Sequence, residues 1–208
     1  MRKTAIKNLL AISVLATSIS GGAIAQTKET PEQAAAKMAV QVCSNCHGPA
    51  GNSTSPVFPI LAGQQMLYLE AQIKAFRSKT RSDPEAHDYM WGMATPLDDQ
   101  LVSGLAEYYA KQTPVPGKVG NSALIAKGKG IYTDGDVAHG VLACAGCHGA
   151  NAEGVAVFPR LAGQHGAYII RQIQVILTQL RDAPVMHGVV RNLSEDQIKA
   201  VAEYLQSL

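Results

Sequence analysis

Apolar residues first appear as a nearly unbroken run from Leu9 to Ile19, interrupted only by Ser13, Thr17 and Ser18. Further along, they recur at helical spacing. Between residues 64 and 77 they fall at Leu67, Leu69, Ala71, Ile73 and Phe76, which predicts a helix with one apolar face. Residues 164 to about 180 repeat that pattern. Asp98 to Lys111 and Ser194 to Leu208 read as two more amphipathic helices, and Ser194 stands three residues before Gln197 in a capping-box pattern. Thr30 followed by Pro31 opens another helix, because proline suits the first helical position and threonine can cap it. Ala34, Ala35, Ala36, Met38, Ala39 and Val40 carry it onward, and Ser122 to Lys127 opens a counterpart. The expected fold class is all-α.

These helices belong to a repeat. Val42-Cys43-Ser44-Asn45-Cys46-His47-Gly48 matches Ala143-Cys144-Ala145-Gly146-Cys147-His148-Gly149. Phe58-Pro59-Ile60-Leu61-Ala62-Gly63-Gln64 matches Phe158-Pro159-Arg160-Leu161-Ala162-Gly163-Gln164, Tyr68 matches Tyr168, and Gln72-Ile73 matches Gln172-Ile173. Met90-Trp91-Gly92 then matches Met186-His187-Gly188, each with a leucine seven residues on, Leu97 and Leu193. Glu107-Tyr108 and Glu203-Tyr204 close the two copies. The Pro- and Gly-rich stretch 113–120 separates them, so the expected units are 26–112 and 121–208. The second copy carries an extra loop, about Thr133 to Gly140. Each unit is small for a self-sufficient core.

The N-terminus has the layout of a secretory signal: Arg2, Lys3 and Lys7 precede the apolar run, and Ala23-Ile24-Ala25 is a small-residue cleavage site. Residues 1–25 are therefore expected to be removed, which places the mature protein in the periplasm. The apolar run is short for a membrane span, and no later stretch is longer. The whole chain carries 18 basic and 16 acidic residues. Three of the basic ones lie in the signal, so the mature chain has slightly more acid than base. No basic tract interleaved with aromatics suggests a nucleic-acid partner.

The four cysteines all fall in the two repeated pentapeptides, Cys43-Ser44-Asn45-Cys46-His47 and Cys144-Ala145-Gly146-Cys147-His148. C-x-x-C-H is the attachment signature of a c-type haem. Two thiols on one helical turn reach one edge of the porphyrin, and the next residue places an imidazole under the ring. A four-cysteine zinc site would normally bring its pairs within 15–20 residues, not about a hundred. A thioredoxin-like pair would need strands around it, and structural disulfides would not explain a histidine after both pairs. Two covalently bound haem c groups are therefore expected, attached at Cys43 and Cys46 and at Cys144 and Cys147. Their irons would be ligated by His47 and His148.

Each iron needs a sixth ligand. Methionine is favoured, because thioether sulfur stabilises ferrous iron and raises the potential. The Met-x-Gly alignment pairs Met90 with Met186 and leaves Met93 opposite Val189. Aligning instead on Gln100 and Gln197 shifts the register by one. His87 and His187, which would allow bis-histidine ligation, are not equivalent in the repeat. His139 and His165 have no repeat partner and suit surface or loop roles, while Met38 and Met66 suit the core. A metal-bound imidazole usually gives its other N–H to a carbonyl. Pro59 and Pro159 stand where such carbonyls belong, with Leu61 and Leu161 packing on the ring. Gln64, Gln164, Tyr68, Tyr168, Arg77 and Arg160 are polar candidates for the haem propionates.

Taken together, the paired C-x-x-C-H-G and F-P-x-L-A-G-Q motifs and the Met-x-Gly segments resemble the dihaem cytochromes c4 over essentially the whole mature chain. The resemblance implies two tandem class I cytochrome c domains related by a pseudo-twofold axis, with the haems facing each other. It implies a periplasmic electron carrier, sometimes membrane-associated, that accepts from a donor such as a cytochrome bc complex and delivers to a terminal oxidase or reductase. The alternatives are a cytochrome subunit of a dehydrogenase or flavocytochrome and a dihaem peroxidase. Equivalent methionines in both repeats count against the peroxidase.

Overall fold

A computed structural model describes residues 29–208; the expected signal segment lies outside the described residues. Those residues are helical with isolated bridges and no extended strand. None of the described helices is long and apolar enough to cross a membrane.

The first unit opens with α1 (Pro31–Met38), whose Thr30 and Gln33 form a reciprocal capping box. A wider turn, Ala39–Cys43, joins it without a break to α2 (Ser44–His47). Gly48, at φ 74°, turns the chain directly after the histidine, a conformation that side chains resist. Next comes α3 (Met66–Arg77). It begins two residues later than the apolar pattern suggests, because Gln65 is extended and its side chain reaches the other unit. The wide turn Ala86–Met90 leads into α4 (Trp91–Ala94), and α5 (Asp99–Ala110) is capped by Asp98.

The second unit repeats this order with one change. The helix α6 (Ser122–Asp134) stops well short of the cysteines, and the expected extra loop intervenes before α7 (Ala145–His148). Asp136 and Val141 pair across that loop. Then follow α8 (Gly166–Leu177), α9 (Pro184–Val190) and α10 (Glu195–Gln206), the last with its Ser194–Gln197 capping box formed. The apolar run to Leu180 does not stay helical, because Gln179 takes a left-handed φ of 58°.

In each unit the first and last helices cross through a pair of small residues. Gly104 on α5 lies against Ala35 on α1, where an added Cβ would come within 2.7 Å of the alanine methyl. In the second unit the glycine sits on the opposite partner: Gly128 on α6 meets Ala200 on α10 so closely that a Cβ would overlap the Ala200 carbonyl. Core residues then close around each crossing: Val102, Leu105 and Tyr109 in one unit, Tyr132, Val201 and Leu205 in the other.

The segment between the units is strapped down. Asn52 donates to Thr113 O and accepts from Val115 N, while Gly117 and Lys118 donate to Leu208 O and Gln206 O. Both units therefore grip the linker.

Candidate haem cradles and the surface between them

α2 and α7 place the two cysteine pairs at the pocket edge. Cys43 and Cys144 are half-buried, Cys46 and Cys147 are exposed, and none is joined in a disulfide. Burial pushes the Cys43 thiol up and raises Cys144 to about 11. A redox-active pair would need the opposite shift, toward thiolate. Among the described residues no group of three His, Cys, Asp or Glu side chains could hold a metal ion.

His47 and His148 point inward and are buried. Nδ1 of each lies 2.9 Å from a proline carbonyl, Pro59 O and Pro159 O respectively. This is the arrangement expected from the repeat. The carbonyl can only accept, so Nδ1 carries the proton and Nε2 is the free lone pair. In the second unit Nε2 of His148 is fully buried without a partner among the described residues. Burial lowers the pKa of both imidazoles, and the proline carbonyls offset this only in part. A neutral imidazole with one nitrogen held and the other bare is prepared for a metal ion. Phe58 and Phe158 stand edge-on to the two rings at 6.1 and 6.3 Å.

Each proline loop is positioned by the haem-motif loop before it. Gly51 O accepts from Leu61 N and Ala62 N, and Ala152 O accepts from Leu161 N and Ala162 N. Leu61 and Leu161 pack on their units' cores. Met90 is half-buried against the Phe76, Ala86 and Ala94 cluster, and Met186 packs on the second core. Met93 is 54% exposed. His87 is exposed, bonded to Asp88 and set edge-on to Trp91.

Other expectations need correction. His165 does lie in a loop, directly before α8, but it is buried there and not at the surface, because it lies against Ser53 of the other unit. Met66 is partly exposed, since it opens α3 at the molecular edge. Three propionate candidates are committed elsewhere. Arg77 donates to Leu97 O and Asp99, and Gln64 and Gln164 cross to the opposite unit. Gln64 Nε2 donates to Arg160 O at 2.9 Å and its Oε1 accepts from Arg160 N at 2.7 Å. Gln164 does the same with Ile60, at 3.0 and 2.9 Å.

Sequence reasoning missed a third crossing. Arg81 and Arg181 pair antiparallel on the pseudo-twofold axis. Arg81 donates to Gln72 and Gln172 Oε1, and Arg181 donates to the same two oxygens and to Tyr68 OH. Only Arg81 has its own carboxylate, Asp83 at 2.7 Å; the equivalent position holds Ala183. Two guanidiniums thus share one buried carboxylate, and Asp182 lines the edge of the same cleft. The crossing's signal in the sequence is the aligned Arg-x-x-Pro at 81–84 and 181–184.

The cytochrome c family model matches residues 125–208. Cytochrome c4 of Thiocapsa roseopersicina is 40% identical over 182 residues, 85% of this chain and 92% of the relative. The thiosulfate dehydrogenase electron acceptor of Thiomonas intermedia is 34% identical, covering 96% of this chain and 90% of that protein. The solved cytochrome c4 of Acidithiobacillus ferrooxidans superimposes with a TM-score of 0.76 at 38% identity, over 80% of this chain and 98% of that one.

Proposed function

Because this chain belongs to the dihaem cytochromes c4, we propose that His47 with Met90, and His148 with Met186, ligate the irons of its two haem c groups. Cys43, Cys46, Cys144 and Cys147 would hold the porphyrins. The protein is an electron-transfer cytochrome and not an enzyme. A haem in each pocket supplies one-electron chemistry at iron. The observation that carries the ligand reading is the duplicated cradle: a buried imidazole fixed by a proline carbonyl at 2.9 Å, with Nε2 of His148 buried and without a partner among the described residues.

The residues do the positioning. The proline carbonyls fix the ring tautomer and orientation. The apolar walls keep water from the ring faces, and methionine sulfur favours the reduced state. On this reading residues 1–25 are cleaved, 26–112 and 121–208 are the two domains joined by 113–120, and the carrier works in the periplasm. It takes electrons from a donor such as a cytochrome bc complex, passes them to a terminal oxidase or reductase, and can associate peripherally with the membrane.

A spectroscopic redox titration tests this. Two low-spin centres at positive potential, with the red sulfur-to-iron band in the ferric protein, are expected. Absence of that band from both haems would sink the methionine assignment. The likeness to the Thiomonas protein supports a second reading for the donor, a thiosulfate dehydrogenase. Rapid reduction of the carrier by that enzyme with thiosulfate, and not by a bc complex, would favour it.

A further inference from the structure

The carbonyl that accepts from His47 and the N–H that donates to Gln164 belong to one peptide group. Pro59 O lies 2.9 Å from His47 Nδ1, and Ile60 N donates to Gln164 Oε1 at 2.9 Å. The same holds in mirror image, where Pro159 O faces His148 Nδ1 and Arg160 N donates to Gln64 Oε1 at 2.7 Å. Each imidazole is thus joined through a single amide to a glutamine of the opposite unit. Neither glutamine can swing away. Both are buried, both donate back through Nε2 to the next carbonyl, and each Oε1 also accepts from the following backbone N–H, of Gln65 or His165.

An amide whose N–H is hydrogen-bonded carries more negative charge on its oxygen, so bonds in series strengthen one another. A stronger acceptor at Nδ1 makes the imidazole more basic toward iron. A more basic ligand favours the ferric state, and hydrogen bonding around the ligands is one of the levers on a haem potential.

We propose that each glutamine tunes the iron of the other unit: Gln164 acts on the first haem and Gln64 on the second. Both are positioning residues that act through a peptide and a histidine. The contact that docks the units is also the contact that adjusts their potentials, so docking and redox balance are linked. This rests on the reading that His47 and His148 ligate the irons.

The test uses the dihaem protein, with the haems distinguished by their ring-methyl resonances during a redox titration. Gln164→Leu leaves Ile60 N without its acceptor. The first haem's reduction equilibrium is expected to move toward the ferrous state by roughly two- to threefold, with the second unchanged. Gln64→Leu gives the reverse assignment. Equal shifts in both haems, a shift only in the haem of the mutated unit, or no shift overturns the proposal. If scattering shows that Gln164→Leu undocks the units, Gln164→Glu keeps an acceptor at Ile60 N. In the ferrous protein it is then expected to move the His47 ring N–H proton resonance downfield and leave that of His148 in place; any other pattern overturns the proposal. If wild type lacks the ring-current-shifted signals of iron-bound imidazoles, the ligand reading has failed. If those signals are present but unmoved in the variants, only the tuning has failed.

Discussion

The two units agree in how they hold a histidine and in the glutamines they exchange, and differ in much of what surrounds them. Both hold an imidazole on a proline carbonyl at 2.9 Å, and both cross glutamines symmetrically. At other points the copies diverge. Arg81 has Asp83 where Arg181 has Ala183. Gln65 donates across the interface to Glu153 O and Gly154 O, while its counterpart is the buried His165. The helix leading to the first cysteine pair runs on without a break, whereas the second is cut by a loop. The first unit splits its core into two clusters and the second keeps one. The histidine cradle is thus the part the two copies share, while the contacts around the buried arginines and before α8 are unequal.

The largest effects break one unit and leave its twin. Cys144→Ala with Cys147→Ala is expected to halve the haem content, measured as pyridine haemochrome. It should also unfold the second unit, because half-buried residues such as Met186 would lose the porphyrin that completes their burial. Cys43→Ala with Cys46→Ala should do the same to the first unit. Retention of two haems in either variant would refute the attachment sites.

The arginines separate the units more finely. Arg81→Met strands the Asp83 carboxylate, whose residue is fully buried, at a cost of about 3–5 kcal/mol. Arg181→Met strands no charge and should cost about 1–3 kcal/mol, the loss of hydrogen bonds to Gln72, Gln172 and Tyr68. Denaturant unfolding of the holoprotein measures both. Equal losses would show that Asp83 does not distinguish the two sites.

The helix crossings allow one unit to be rebuilt as the other. Gly104→Ala drives a methyl into Ala35 and should cost about 1–3 kcal/mol. Adding Ala35→Gly moves the glycine to the first helix, as in the second unit, and should recover much of that loss in the same denaturant measurement. Additive losses in the double variant would contradict the interchange.

The smallest effect concerns acid. Burial lowers the pKa of His165, and Lys118 in the linker lowers it further; a backbone contact at Ser53 opposes both. No acidic or basic side chain lies in the first turn of α8 beside it. Below its ordinary value of 6.5 the unfolded chain takes up a proton that the folded protein resists. The stabilising contribution is therefore complete above that pH and is lost as pH falls. Replacing it by the first unit's residue, His165→Gln, should reduce the drop in thermal midpoint between pH 7.5 and 5 by about 2 °C. An unchanged drop would remove His165 from the acid response.

Much of the site was legible because it is local or repeated. The capping boxes at Thr30 and Ser194 need only four residues each. The histidine–proline bonds, spanning 12 and 11 residues, could be read because a ligand's second nitrogen has few partners to choose from. The resemblance implies that the two units face each other, but not which side chains cross between them. Gln64 and Gln164 read as haem contacts because a polar residue after a haem loop is usually spent on the haem, and nothing in the pattern shows that another copy of the loop will cover it. His165 read as a surface or loop residue because the other copy has Gln65 in its place.

The two cysteine–histidine motifs, the duplication, the helical order and the imidazole–proline pairing are all legible along the chain, encoded in short-range spacing or in the likeness of one copy to the other. Folding alone brings Arg81 to Gln172, Gln64 to Arg160 and Gln164 to Ile60, partners 91, 96 and 104 residues apart. Those pairings arise from burying two like surfaces against each other. Most polar groups trapped there find a partner, here the glutamines and arginines that cross to the opposing face, and a linear pattern of residues does not carry the relative placement of two units.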